Sequence, residues 1–257
     1  MPVRFDIVHF EIAEPGIAVI CLNRPEQRNA LNTAVAEALR DAVTRFEEDP
    51  GLRVAVLRGE GKVFCAGMDL AAFAAGERPG LDGPWGFGHF VARPRTKPII
   101  AAVNGGAYAG GFEIMLACDL AVAARDARFA VPEVKRGIIA AGGGAIRLPS
   151  LLPLPLAKEM LLTGEPITAE RAAEFGLVNA LAEPGGAEGP ALELARIIAA
   201  NAPLAVAQSL ALADGAAGRG LDWAANTAAW KVVERSRDAL EGARAFKEKR
   251  DPAWAGE

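Results

Sequence analysis

The stretch "NGGAYAGGFEIMLACDL", residues 104–120, decides how the rest of the chain reads. It is a glycine-rich turn leading into an apolar segment with the character of a buried helix, and it carries one carboxylate, Glu113, among Phe112, Ile114, Met115 and Leu116. Burying an ionised carboxylate costs several kcal/mol or more unless something compensates, so Glu113 needs a reason. The glycines offer one. Their spacing is that of a phosphate-binding loop, but Gly111 and Phe112 stand where such a loop needs Lys and Ser or Thr, and no G-x-G-x-x-G fits. What the turn supplies is bare backbone: Gly110 and Gly111 leave the first N–H groups of the next helix uncovered by side chains and without partners inside it.

A second turn of the same character lies upstream in "GEGKVFCAGMDL", residues 59–70. Two such strand-to-helix turns, brought together, would form a two-donor oxyanion hole; each alone is equally consistent with glycines that only permit a tight turn. Around these turns the chain alternates short strands and helices. "FDIVHFEIAEPGIAVICLNRP" reads as a hairpin turning at Glu14-Pro15-Gly16. A helix follows with Val35, Leu39, Ala42, Val43 and Phe46 on one face. "LRVAVLRG", "PIIAAVNG", "LAVAA" and "ARFAVPEV" read as further strands, and residues 74–97 as an irregular, mobile loop. Thr168 and Gly176 are placed to cap a helix between them. "EPGGAEGP", residues 183–190, reads as a linker, with helical segments at roughly 191–200, 203–213 and 222–249. The pattern implies an α/β core over residues 1–190 and a helical appendage over 191–257.

Composition narrows the function classes. With 257 residues, 51% hydrophobic and a formal net charge of −4, the chain is an ordinary globular protein without the basic excess of a nucleic-acid binder. No apolar run approaches the roughly 18 residues of a membrane span. Cys21, Cys65 and Cys118 are odd in number and sit in apolar settings, which points to reduced thiols and a cytoplasmic location. Two histidines, His9 and His89, and no paired cysteines leave almost no material for a zinc site, and no metal is expected.

Residues 97–149, "KPIIAAVNGGAYAGGFEIMLACDLAVAARDARFAVPEVKRGIIAAGGGAIRLP", resemble the core signature of the crotonase (enoyl-CoA hydratase/isomerase) superfamily. "FCAGMDL", "NRPEQRNALN", "LLTGEPITAERAAEFGLVNAL" and "ARAFKEKRDPAW" resemble its other motifs, in family order. The resemblance implies a spiral of repeated ββα units with a C-terminal helical trimerisation region, assembling as a trimer or a dimer of trimers. It implies an acyl-CoA thioester as ligand, with coenzyme A part of the substrate and no separate cofactor. It maps the two oxyanion amides onto Met68 and Gly110, the CoA-binding segment onto Ala66, Asp69 and Leu70, and candidate phosphate contacts onto Arg28 and Lys249.

The same resemblance gives the carboxylates their roles. Glu113 in "GGFE" and Glu133 in "VPEV" stand 20 residues apart, as in hydratases that add water across a 2-enoyl thioester. Two neighbouring carboxyls cannot both ionise freely, so one accepts a proton from water while the other donates one to carbon. Singly, Glu113 would read as a dipole-stabilised helix carboxylate and Glu133 as a solvated loop acid. Ala141 stands where family isomerases carry an aspartate, which argues against Δ3,Δ2-isomerisation; Ala145 and Ile146 replace Thr-Gln without an evident reason. Tyr108, the one tyrosine, either shapes a pocket wall or packs, packing being the favoured reading, while the loop with Trp85, Phe87, His89 and Phe90 either lines an acyl tunnel or packs on a neighbouring subunit. Trp223, Trp230 and Trp254 read as core or interface residues. Carnitinyl-CoA-type dehydration, hydration of sterol side-chain or aromatic enoyl groups, thioester hydrolysis and non-catalytic acyl-CoA binding remain as alternatives. A glycosidase would also use two glutamates but would leave the glycine turns unexplained.

Overall fold

The computed structural model describes residues 3–5, 7–216, 236–238, 241, 245 and 248–257. The helical segment expected at 222–249, with Trp223 and Trp230, lies almost wholly outside them. Strands β1 (Val3–Phe5), β2 (Val8–Glu14) and β3 (Ile17–Leu22) form an antiparallel ribbon, and Gly16 at φ +83° makes the turn between β2 and β3. Helix α1 (Thr33–Glu48) begins at Asn32, whose side chain accepts from the Val35 N–H, and buries the five residues its periodicity marked. β4 (Val54–Gly59), α2 (Leu70–Ala74), β5 (Ile99–Val103), β6 (Gly106–Tyr108), α3 (Gly110–Ala117), β7 (Leu120–Ala124) and β8 (Arg128–Ala130) follow. Then come α4 (Gly144–Leu151), α5 (Leu154–Thr163), β9 (Ile167–Thr168), α6 (Ala169–Glu174), β10 (Ala180–Ala182), α7 (Glu188–Ala199) and α8 (Pro203–Ala216).

The main sheet runs β1-β2-β3-β4-β5-β7-β10, parallel from β3 onward; β6, β8 and β9 make a smaller sheet. The parallel strands are apolar on both faces because both are covered. Ala18, Ile20, Leu22, Ala55, Leu57, Ile99 and Ala101 face the large core with α1, whereas Ile17, Val19, Val54, Val56, Ile100 and Val122 face Ala191 and Ala195 of α7. The alanines let the α7 backbone approach the sheet closely.

Several expectations change here. The presumed linker is partly helical: α7 starts at Glu188 and tolerates Pro190 in its first turn, where no intrahelical N–H bond is lost. Asn104 Oδ1 accepts from Ala187 N at 3.1 Å and Arg58 pairs with Glu188 at 3.3 Å, so this segment is tied to the core. The expected division between 190 and 191 falls inside α7. β8 ends before Pro132, and "PEVKR" forms a 3-10 turn, Pro132–Arg136, since proline cannot donate to a strand ladder. Residues 74–97 pack on their own chain: Phe87, Gly88, Phe90 and Val91 are buried against α1 and α3. The capping prediction for α6 holds, with Thr168 Oγ1 accepting from Arg171 N at 3.1 Å and Gly176 just beyond the helix end at φ +76°. All three cysteines are free, Cys21 and Cys65 buried and Cys118 partly so, and burial pushes each thiol up to about 12.

Candidate active site

The site lies beyond the carboxyl ends of β4 and β5, where parallel sheets leave room for ligands. Three irregular segments are stitched side by side there. Ala66 N donates to Arg28 O at 2.9 Å, Leu31 N to Gly67 O at 2.8 Å, Asp69 N to Leu31 O at 2.8 Å and Tyr108 N to Cys65 O at 3.0 Å. Arg24 reinforces the stack, donating to Ala30 O at 2.8 Å and pairing with Asp69 at 3.3 Å. Asn29, buried and in the left-handed region at φ +55°, ties the N-terminal loop down through Glu60 O and Val63 O.

This stitching brings the two glycine turns together. A Cβ built on Gly67, at φ +91°, would lie 2.9 Å from Gly110 N. Ala109, just before the helix, adopts φ +50°, ψ −131°, a conformation a side chain rarely takes. Gly110 opens α3, so its N–H has no partner within the helix. Among the described residues the amides of Met68 and Gly110 donate to no acceptor.

Met68 and Gly110 line a cleft of about 1240 Å³ that is also lined by Glu113 and Glu133. Each carboxyl is buried, at 3% and 7% exposure. Glu113 Oε1 accepts from Gly144 N at 2.8 Å, so the carboxylate sits at the start of α4. Burial pushes its pKa up to about 7 against the Gly144 hydrogen bond, and the charge of Glu133 pushes the same way as burial. Burial also raises Glu133, opposed by its own backbone N–H, and its Oε2 is buried with no hydrogen-bond partner. Burial thus holds both carboxyls toward the neutral form, the kind of tuning that acid–base chemistry on a water molecule uses.

Of the residues singled out from sequence, Arg28, Ala66, Met68, Asp69, Leu70, Gly110, Glu113 and Glu133 all line this cleft. Lys249 does not; it is exposed at the C-terminal end, away from the cleft lining. Tyr108 lines the cleft, the less favoured of its two readings, as do Phe87 from the 74–97 loop and Ala141. Trp85 lies instead under Arg93 at 4.4 Å, and Trp254 donates to Ala200 O at 2.6 Å. The sequence shows a third glycine cluster, in "AAGGGAIRLP", but not its role: Gly142 and Gly144 pack on the Glu113 carboxyl, so that a Cβ on Gly142 would lie 2.4 Å from its Oε2. The signal was three consecutive glycines before a helix. Among the described residues no cluster of His, Cys, Asp and Glu could hold a metal ion, and no single helix is long and apolar enough to cross a membrane.

Comparison with known proteins agrees with this architecture. Residues 13–257 match the model of the enoyl-CoA hydratase/isomerase family. The chain is 43% identical over 249 residues to a carnitinyl-CoA dehydratase of Salmonella arizonae, covering 93% of this chain and 95% of that one. It superposes with TM-score 0.92 on an enoyl-CoA hydratase of Mycobacterium tuberculosis H37Rv, 49% identical over 98% of this chain and 99% of that one. A carnitinyl-CoA hydratase of Mycobacterium avium gives TM-score 0.79 and 41% identity, over 99% and 100% of the two chains. The chain belongs to the enoyl-CoA hydratase/isomerase family, and its fold is the crotonase fold. Within that family it is an acyl-CoA hydratase/dehydratase, an enzyme of the hydro-lyase class.

Proposed function

We propose that the protein hydrates 2-enoyl-CoA thioesters. The observation that carries this reading is the buried carboxyl pair, Glu113 and Glu133, lining the same cleft as two partnerless amides. The thioester oxygen accepts from Met68 N–H and Gly110 N–H, which places Cα and Cβ beside the carboxyls. One ionised carboxylate takes a proton from water as its oxygen bonds to Cβ, the carbon–carbon π electrons move toward the thioester, and the enolate charge falls on the oxygen held by the amides. The neutral carboxyl then gives its proton to Cα. Water has been added, and the proton has passed from one carboxyl to the other. Losing one such amide donor typically costs about 2.7–4 kcal/mol.

Coenzyme A belongs to the substrate, and the cleft wall formed by Ala66, Asp69, Leu70 and Arg28 is its proposed seat. The helical C-terminal region, residues 191–257, is the proposed oligomerisation region, in a trimer or a dimer of trimers. A cytoplasmic enzyme of lipid or fatty acid metabolism accords with this chemistry.

The test is spectrophotometric. Crotonyl-CoA and longer 2-enoyl-CoAs should lose their enoyl thioester absorbance without release of free CoA. No change at any chain length refutes simple hydration, and release of CoA indicates hydrolysis instead. Carnitinyl-CoA dehydration is the second reading, favoured by the 43% identity to a carnitinyl-CoA dehydratase.

A further inference from the structure

The cleft holds a charge that hydration does not use. Arg136 lines it, yet its guanidinium makes no ion pair among the described residues; its one hydrogen bond is Nη1 to Lys135 O at 3.4 Å. The adjacent Lys135 has already taken Glu165, at 2.6 Å. Arg136 also stands in a defined relation to the chemistry. It ends the 3-10 turn Pro132–Arg136, three residues after Glu133. In a 3-10 turn side chains at i and i+3 eclipse, about 6 Å apart along the axis, so Arg136, exposed where it lines the cleft, lies on the same side of the turn as the buried Glu133. Gly137, at φ +72°, stops the turn there, and Ile138, Ile139 and Ala141 continue the cleft wall to Gly142 beside Glu113.

The other unpaired cation of the cleft, Arg28, stands with the Ala66–Leu70 segment, which carries the proposed CoA seat. Arg136 stands one 3-10 turn from Glu133, and on the acyl-CoA reading it is assigned to the part of the acyl chain beyond Cβ. A guanidinium there pairs with a carboxylate through two parallel hydrogen bonds. It repels a quaternary ammonium, whose recognition uses an aromatic cage. No free cage is available: the cleft's rings are Phe73, Phe87 and Tyr108, and Phe73 already lies under Arg78 at 3.9 Å. Asp69, the third carboxylate of the lining, is paired with Arg24.

We infer that Arg136 selects 2-enoyl thioesters whose acyl chain ends in a carboxylate, and disfavours those ending in trimethylammonium. This rests on the acyl-CoA reading of the site and sets the protein apart from its carnitinyl-CoA relatives in acyl preference.

The test compares three probes of like length: crotonyl-CoA, glutaconyl-CoA with a terminal carboxylate, and crotonobetainyl-CoA with a terminal trimethylammonium. The native enzyme should give kcat/KM highest for glutaconyl-CoA and lowest for crotonobetainyl-CoA. Arg136→Gln should cut the ratio of glutaconyl-CoA to crotonyl-CoA about tenfold, Arg136→Lys should restore part of it, and Arg136→Glu should move the preference toward crotonobetainyl-CoA. Dissociation constants of the saturated analogues butyryl-CoA, glutaryl-CoA and γ-butyrobetainyl-CoA read the same preference without turnover. If no enoyl probe is hydrated but glutaryl-CoA still binds best through Arg136, the hydratase reading fails and the charge inference stands. A native ratio at or below one overturns the inference. So does an Arg136→Gln variant that weakens every thioester and free CoA alike, which would assign Arg136 to the CoA phosphates.

Discussion

Gly144 donates its backbone N–H to Glu113 Oε1 at 2.8 Å, across 31 residues of sequence, and this bond fixes one carboxyl of the pair. The fit around it is tight. A Cβ on Gly142 would meet Glu113 Oε2 at 2.4 Å, whereas one on Gly144 would meet Oε1 at 3.1 Å. Gly142 has an ordinary negative φ, so alanine there costs little in the backbone and acts on the carboxyl itself. Gly142→Ala should lower kcat for enoyl thioester hydration by about 100-fold, the scale of a 1 Å misplacement. Gly144→Ala should lower it less. Urea unfolding of both variants separates this from loss of the fold, and equal activity of Gly142→Ala and the parent would contradict the assignment of Glu113.

The pair itself is tested by Glu113→Gln and Glu133→Gln. Each removes one proton-transfer group while keeping its size, and each should lower kcat by about 10²–10⁴-fold, the usual contribution of a positioned acid or base. The dissociation constant of butyryl-CoA should change little, because the CoA seat and the amides are untouched. A variant that keeps near-full activity shows that its glutamate is not part of the mechanism.

Burial of Glu113 also has a cost that pH reveals. Its pKa rises from the ordinary 4.5 to about 7 on folding, so the folded state holds the proton more tightly than the unfolded chain. The associated stability is complete below about pH 4.5 and is lost as pH rises through about 7, a total of about 3 kcal/mol. Glutamine at 113 cannot ionise, and it still accepts from Gly144. Glu113→Gln should therefore gain stability relative to the parent between pH 4.5 and 8, by up to about 3 kcal/mol in urea titrations, while losing activity. A stability difference that stays flat with pH would mean the carboxyl is already neutral or solvated.

The core was legible because its signals are local. The hairpin ending in Ile17–Leu22, the apolar run of Val54–Gly59, the face of α1 and the Thr168 cap each follow from neighbours in sequence. The bare amides at Met68 and Gly110 and the two glutamates were legible through their motifs. The hold of Gly144 on Glu113 was not, since it depends on where α4 starts in space. The same holds for the Arg24–Asp69 pair, which spans 45 residues, and for Phe87, placed by packing of an aperiodic loop on α1 and α3. α7 was misread at its start because three glycines and two prolines in 184–190 look like linker, whereas the burial of Ala187, Ala191 and Ala195 against the sheet decides the matter.

Gly67 offers the sharpest test of the amide pair. At φ +91° it holds Met68 beside the second turn, and a Cβ there would meet Ala109 Cβ, Gly110 N and Tyr108 O, each at 2.9 Å. Those are backbone atoms and a methyl carbon, so none can swing aside as the end of a long side chain would. Gly67→Ala must therefore push the two turns apart, in addition to straining its own backbone. The expected result is a fall in kcat of about 10²–10³-fold, the effect of losing one oxyanion donor. The acid–base pair is untouched, so the pH dependence of the residual rate should match that of the parent. If Gly67→Ala folds and turns over crotonyl-CoA at the parental rate, the Met68 and Gly110 amides are not what stabilises the thioester oxygen.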